Sequence, residues 1–180
     1  MSNCVGQLGY GGVDCPRETP GLKQFAYLAN LSEIASWTAG SDGIYTGFTM
    51  DSGKGLMRFE IKKDSGEVRE TLEGGDEDLG SFTQEYEAMI ASLSTTARNF
   101  VNDKNGPDFV IFAPSKNGSV FIVGKDIGTK LVENEASTSQ DAYGERILFR
   151  ATQMPQKRHE LFNTDVDTTI AALEAKVIAS

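Results

Sequence analysis

Apolar and polar residues alternate along much of the chain, which is the period-two pattern of half-buried β-strands. The clearest stretch is 56–63, where Met57, Phe59 and Ile61 are separated by charged residues. Because successive side chains of a strand point to opposite faces, these three apolar side chains are predicted to face the core. The same patterning, with its β-branched and aromatic residues, predicts further strands over 21–30, 44–50, 68–72, 81–91, 109–113, 119–123 and 144–154.

Two turn signals organise these strands into hairpins. Asp64-Ser65-Gly66 predicts that the strand at 56–63 returns and pairs as the strand at 68–72. Asn117-Gly118 is the strongest short-range hairpin signal and joins the two strands on either side of it. Both of those strands are almost wholly apolar, so both of their faces are expected to be covered.

Three stretches fit more than one structure. Residues 31–39 have room for one helical turn, and 126–142 reads as a polar loop with room for one strand. Residues 81–91 fit either a strand face or a helix face, and we favour a strand that leads into a helix over 94–103. Ser94 is suited to cap the start of that helix.

The two ends of the chain differ in character. Residues 1–21 are rich in Gly and Pro and predict an extended N-terminal arm. The spacing of Val166, Ile170, Leu173 and Val177 predicts an amphipathic C-terminal helix over 165–178. Neither an internal repeat nor a linker divides the chain. The whole pattern predicts a single α+β domain, 1–180, that is mainly β: an antiparallel β-sandwich or partly closed barrel with one or two flanking α-helices.

The charge is strongly negative and unevenly placed. The 180 residues carry a formal net charge of −9, so the chain lacks the basic surface with which proteins grip nucleic acid or anionic membranes. Between Glu60 and Glu87, ten acidic residues oppose three basic ones. Because this stretch also alternates like a strand, it predicts a sheet with one apolar and one acidic face. Such a face repels polyanions, although acidic surfaces also serve solubility alone.

Residues that could carry catalysis or hold a cofactor are few. His159 is the only histidine and lies in a polar stretch that is expected at the surface. The sequence contains no Gly-x-Ser-x-Gly motif that would supply a serine nucleophile for it. The glycine clusters at 9–12 and 124–128 do not open a helix as phosphate loops do. Adjacent acids at 76–78 point in different directions and do not form a calcium loop. We therefore expect no enzyme, no cofactor and no metal.

The remaining signals concern location. No apolar run reaches the roughly 18 residues of a spanning helix, and residues 1–10 show no basic and apolar signal peptide. The sequence thus predicts a protein made in the cytosol, with no membrane association. In that reducing compartment Cys4 and Cys15 are expected as free thiols, although their closeness in sequence leaves a disulfide conceivable.

The order of elements resembles that of the tail tube proteins of long-tailed bacteriophages, among them tail-type virion proteins of phages of Bacteroidetes hosts. Three parts carry the resemblance, and together they cover more than half of the chain. They are the opening segments Val13–Cys15, Gly21–Lys23 and Tyr27–Asn30, the strand–helix–hairpin run from Phe82–Gln84 to Phe109–Phe112 and Val120–Gly124, and the closing strand Gly144–Ala151 that leads to Pro155.

The resemblance implies a structural role in the virion tail, with assembly in the cytoplasm of the bacterial host. Six copies would form a ring, rings would stack, and strands from all copies would close a barrel around a lumen through which DNA passes without specific binding. Other tail or neck proteins would be further partners. The loops at 51–55 and 74–80 would serve contacts between rings, and the arm at 1–21 would lie on a neighbouring ring.

The resemblance also assigns the faces of the strands, because lumen-facing side chains must be polar. Glu60, Glu85 and Glu87 are expected to share one surface exposed to the passing DNA. The full set expected to face the lumen is Arg58, Glu60, Lys62, Thr83, Glu85, Glu87, Arg150 and Thr152.

Two other roles fit the same sequence. The chain could be a neck ring, tail terminator or capsid decoration protein of a phage. It could also be a small bacterial binding module whose acidic face recognises a basic partner.

Overall fold

A computed structural model of the chain describes residues 21–74, 80–95, 99, 102–103, 107–139 and 143–178. The expected N-terminal arm lies outside these residues except for Gly21, and so do Cys4, Cys15 and the acids at 76–78. Of the helix expected over 94–103, residues 95, 99, 102 and 103 are described as helical.

The described residues form mainly strands. In chain order these are β1 (Phe25–Asn30), β2 (Ile34–Ala39), β3 (Ile44–Met50), β4 (Met57–Glu60), β5 (Glu67–Glu73), β6 (Ser81–Ile90), β7 (Phe109–Pro114), β8 (Val120–Val123), β9 (Lys130–Ser137), β10 (Gly144–Met154) and β11 (His159–Leu161). A 3₁₀ turn, Leu31–Glu33, joins β1 to β2, and helix α1 (Val166–Glu174) follows β11.

These strands form two sheets. The larger has seven strands in the order β2-β3-β11-β8-β7-β1-β4, and it curls into a half-barrel. The smaller has four strands in the order β5-β6-β10-β9. Every neighbouring pair is antiparallel except β3 and β11. The expected class, a mainly β sandwich or partial barrel with a flanking helix, is confirmed.

Two apolar clusters hold the layers together. The inter-sheet core lies between the sheets, where Phe59, Ile61, Ile111, Tyr86 and Phe149 pack together. Ile61 and Phe59 are buried there as predicted, and Met57 packs against the same cluster.

The helix-side core covers the other face of the seven-stranded sheet. It includes Tyr27, Phe48 and Phe112, and α1 closes it with Leu173. Asp165 caps α1 by accepting a hydrogen bond from the backbone N–H of Thr168. The predicted C-terminal helix is therefore present, but it ends at 174 instead of 178 because the following residues turn and pair with Leu56 in an isolated bridge at Val177.

The hairpin expected at Asp64-Ser65-Gly66 is wrong in its pairing. β4 pairs with β1 in the larger sheet, whereas β5 pairs with β6 in the smaller one. The turn between them is a corner that carries the chain from one sheet to the other. A Cβ at Gly66 would lie 2.6 Å from Ile61 Cδ1 and 3.1 Å from Leu22 Cδ1, so a larger residue here would have to displace these two buried side chains. The N–H of Lys62 donates to the carbonyl of Met89 at 2.6 Å, which ties the corner to β6.

Most other predicted strands are confirmed. β3 and β10 match the expected ranges, and β7 and β8 form the hairpin expected at Asn117-Gly118. The ambiguous 81–91 stretch is a strand. The polar 126–142 stretch contains the eight-residue β9, and 31–39 contains both a 3₁₀ turn and β2. The sequence pattern does not predict the short strand β11.

Candidate functional site

The outer face of the four-stranded sheet carries most of the polar residues that the sequence singled out. Tyr86, Ala88, Ile147 and Phe149 point inward to the inter-sheet core, so alternate residues point away from the seven-stranded sheet. The outer face consists of Glu67, Arg69, Thr71 and Glu73 on β5, Ser81, Thr83, Glu85, Glu87 and Met89 on β6, Arg146, Leu148 and Arg150 on β10, and Lys130, Glu133 and Glu135 on β9.

The register of the strands arranges these charges in rows across the sheet. Arg69 lies opposite Glu85, Glu85 lies opposite Arg150, and Arg150 lies opposite Lys130. We call these four residues the basic row. With neighbouring strands about 4.8 Å apart, the row spans about 14 Å. The next row holds Glu67, Glu87, Leu148 and Glu133 and is acidic.

Glu85 stands at the centre of the basic row and bridges two arginines. Its Oε1 lies 2.6 Å from Arg150 Nε, and its Oε2 lies 3.3 Å from Arg69 Nη1. The Glu85 side chain is only 14% exposed, whereas those of Arg69 and Arg150 are 51% and 37% exposed. Arg69 also contacts Glu67 at 3.0 Å, and the charge of Glu67 is the main cause that raises the pKa of Arg69.

Glu87 forms the second strong pair of the outer face. Its Oε1 lies 2.6 Å from Arg146 Nε, and this hydrogen bond is the main cause that lowers the pKa of Glu87. Arg146 also approaches Glu133 of β9 at 3.9 Å. The neighbouring Leu148 is only 5% exposed although it belongs to the outer face. Long charged side chains can cover an apolar residue in this way.

The structure brings only part of the predicted lumen set onto this face. Glu85, Glu87 and Arg150 lie on it, and Thr152 follows Arg150 on β10 and is exposed. Thr83 lies on the same face but is only 7% exposed, because it packs beside β5 and hydrogen-bonds to Glu73. Thr83 therefore lies on the predicted face, but its side chain is buried there.

Arg58 and Glu60 belong to the other sheet. Arg58 pairs with Tyr27 of the helix-side core and contacts Glu174 of α1 at 3.1 Å. By alternation Glu60, which contacts Arg58 at 3.2 Å, points to that same helix side. Glu60 thus does not share a surface with Glu85 and Glu87, contrary to expectation. Lys62 lies in the corner after β4.

The outer face is also less acidic than the sequence suggested. Six glutamates and four basic residues lie on its described part, a net charge of −2. The acidic stretch 60–87 adds less negative charge to this face than expected, because its acidic residues lie on different surfaces of the protein. Glu60 is on the helix side, and Glu70 accepts a hydrogen bond from the backbone N–H of Arg158. The arginines that balance Glu85 and Glu87 come mainly from β10, about sixty residues later, and this long-range pairing has no local sequence signal.

Both edges of the four-stranded sheet are long, and in the described structure neither pairs with a further strand. β5 has seven residues and β9 has eight. Each edge strand exposes an apolar side chain: Leu72 is 59% exposed and Val132 is 45% exposed. Unpaired N–H and C=O groups along such edges readily pair with another chain.

A second polar cluster lies at one end of the helix-side core. His159 of β11 is 5% exposed, so the expectation of a surface histidine is wrong. Its ring packs edge-on against Tyr45, and its Nε2 lies 3.5 Å from Asp126 Oδ2 without forming a hydrogen bond. Lys125 pairs with Asp126 at 2.5 Å and lies over the rings of Tyr45 and Trp37. The contacts that the structure describes for the imidazole are thus one aromatic ring and one carboxylate.

Two further features of the described residues concern metal binding and membranes. No three His, Cys, Asp or Glu residues among them are placed to hold a metal ion. None of the helices described is long and apolar enough to span a membrane.

Comparison with models of known protein families, with characterised proteins and with solved structures found no match. The resemblance to tail tube proteins stays a prediction.

Proposed function

We propose that this chain is a structural virion protein, the major tail tube subunit, which forms stacked hexameric rings around a channel for DNA. The observation that supports this most is the four-stranded sheet. Its inner face packs on the seven-stranded sheet, its outer face is polar, and both of its edges are unpaired within the described structure. A sheet of this kind is suited to form one sixth of a channel wall.

The two edge strands could join neighbouring copies into a closed wall. If β5 of one copy pairs with β9 of the next, every copy adds four strands to a continuous antiparallel sheet. This contact is head-to-tail, and such contacts build rings when the rotation closes. It would also cover the exposed side chains of Leu72 and Val132.

The dimensions suit the cargo. Six copies of the sheet contribute twenty-four strands. Strands about 4.8 Å apart and tilted by about 40° then close into a barrel about 48 Å across between opposite backbones. Barrels of 16–18 strands already leave an aqueous channel, so this barrel would hold a DNA duplex with water around it.

In this assembly the outer face becomes the channel lining. Glu85, Glu87 and Arg150 keep their proposed place in the lumen, and Arg69 and Arg146 join them. Each of these arginines is paired with a glutamate in the free chain. A lining of mutually neutralised charges offers few free cations to phosphates, which favours passage of DNA without specific binding.

The proposal is tested by the physical state of the purified chain. We expect rings or tubes in negative-stain electron micrographs and a matching mass in solution. Leu72→Lys and Val132→Lys place charges on the two edges and should leave folded monomers. Ile127→Lys is the matched control: Ile127 is as exposed as Val132, at 45%, but lies in the connection between β8 and β9, off both edges.

Rings that survive both edge substitutions would contradict the edge-to-edge contact. A chain that stays monomeric at high concentration would contradict the tube itself. A single ring that never stacks would favour the neck ring or tail terminator role, and binding to assembled heads would favour capsid decoration.

A further inference from the structure

The basic row holds more positive charge than its surroundings, yet a single carboxylate occupies its centre. Arg69, Arg150 and Lys130 are its three cations, and Glu85 lies between the first two. Both oxygens of Glu85 are used, one toward each arginine. The rest of each guanidinium stays accessible, since the arginine side chains are 51% and 37% exposed.

Carboxylates and phosphates compete for the same donors. The planar fork of a guanidinium matches either group with two parallel hydrogen bonds. An arginine whose charge is balanced by a fixed carboxylate therefore attracts a phosphate only weakly. The Glu85 side chain is 14% exposed, so it is held in place by the sheet and is not easily displaced by a ligand from solvent.

We propose that the basic row is a masked binding site for the phosphodiester backbone of DNA, and that Glu85 is the built-in counter-ion that keeps it closed. Removing the charge of Glu85 frees Arg150, whose carboxylate partner it is at 2.6 Å. Arg69 loses one of its two carboxylates but keeps Glu67 at 3.0 Å, and Lys130 keeps Asp108 at 3.7 Å. The identity of the polyanion as DNA rests on the proposed function. The existence of the masked site rests on the geometry of the free chain.

The test is binding of a short fluorescently labelled DNA duplex to the purified chain, measured by anisotropy over a range of salt concentrations. Glu85→Gln keeps the shape of the side chain and removes its charge. Each phosphate contact adds about 0.9 to the slope of log affinity against log salt. The one freed arginine should therefore steepen the slope by about 0.9, which corresponds to an additional fall in affinity of about 3.5-fold between 50 and 200 mM salt.

Glu60→Gln is the matched control. It makes the same change in net charge, but on the helix side of the other sheet. Its partner Arg58 keeps Glu174 at 3.1 Å and is not freed. This variant should bind DNA as weakly as the unaltered chain. Glu85→Gln combined with Arg69→Gln and Arg150→Gln should lose the gained binding.

The outcomes separate this proposal from the tube. The masked site would be overturned if Glu85→Gln is folded, as shown by its thermal melting, and yet binds DNA no better than Glu60→Gln. This holds even if rings form. Binding that persists in the triple variant would overturn it too. If Glu85→Gln does not fold, Glu85→Asp serves instead: the shorter carboxylate cannot reach both arginines, and an unchanged salt slope would overturn the proposal. Gained binding in a chain that never forms rings would support the site and contradict the tube.

Discussion

Replacing Gln84 should loosen the attachment of the four-stranded sheet to the rest of the protein. Gln84 lies on β6, is 1% exposed and points inward among apolar side chains. Its Oε1 accepts the backbone N–H of Gly124 at 3.0 Å, just after β8, and its Nε2 donates to the carbonyl of Gln156 at 3.3 Å. One amide therefore joins the smaller sheet to the larger one and to the segment before β11.

The size of the effect follows from what Gln84→Met leaves behind. Methionine fills a similar volume but makes neither hydrogen bond. Gln156 is exposed, so water can replace its partner, whereas Gly124 is buried and its N–H loses its acceptor. A buried donor without a partner costs about 1–3 kcal/mol. We expect the free energy of unfolding to fall by about 2 kcal/mol, which lowers the melting temperature of a chain of this size by about 4–8 °C.

The loss of stability is measured by urea unfolding, with circular dichroism as the signal. All samples have the same protein concentration, because self-association shifts apparent stability. Gln24→Met is the control, since the side chain of Gln24 is exposed and its loss should change stability by less than 0.5 kcal/mol. The midpoint should fall for Gln84→Met with an unchanged denaturant slope. Equal effects of the two substitutions would refute the reasoning and show that apolar packing alone joins the sheets.

Two further changes test local features. Gly124→Ala places a methyl group 2.6 Å from Thr129 Cγ2 at a positive φ, whereas Gly53→Ala, also at a positive φ, meets nothing within 4 Å. Gly124→Ala should therefore lower the free energy of unfolding by about 1–3 kcal/mol more than Gly53→Ala does, as measured by thermal or urea unfolding. Equal losses of stability in the two variants would contradict the clash. The pKa of Glu87 is lowered in the folded state, so its stabilisation is present above its unfolded pKa of about 4.5 and is lost as pH falls through the lower folded value. The urea midpoint of Glu87→Gln should therefore depend less on pH between 5 and 3 than that of the unaltered chain, and parallel pH profiles would contradict this.

The strands with strong local patterns could be predicted from the sequence. β3 is rich in β-branched and aromatic residues, β10 carries Ile147 and Phe149 at alternate positions, and Asn117-Gly118 predicts both the turn and the pairing of β7 with β8. The sequence of β9, from Lys130 to Ser137, is mostly polar, so its pattern predicts a loop with room for one strand and does not fix the strand's bounds. As an edge strand it buries little, so it carries little apolar pattern.

Other features depend on contacts that lie far apart in sequence. β11 has three residues and forms only because β3 and β8 offer edges on both sides. The same limit applies to the candidate site. Glu85 could be placed on a polar face from its own strand, but its partner Arg150 is 65 positions away. Charge counted along the sequence therefore overestimated the acidity of the face.

The corner at 62–66 links these results. Had β5 paired with β4, as the turn signal suggested, it would have extended the seven-stranded sheet, and Arg69 would not lie opposite Glu85. Burial decides against that hairpin: Phe59 and Ile61 point into the inter-sheet core, and Gly66 lets the chain turn closely against Ile61. The chain then enters the second sheet with β5 at its edge. The two features on which the proposed function depends, an unpaired edge and a neutralised basic row, thus both follow from one tightly packed turn.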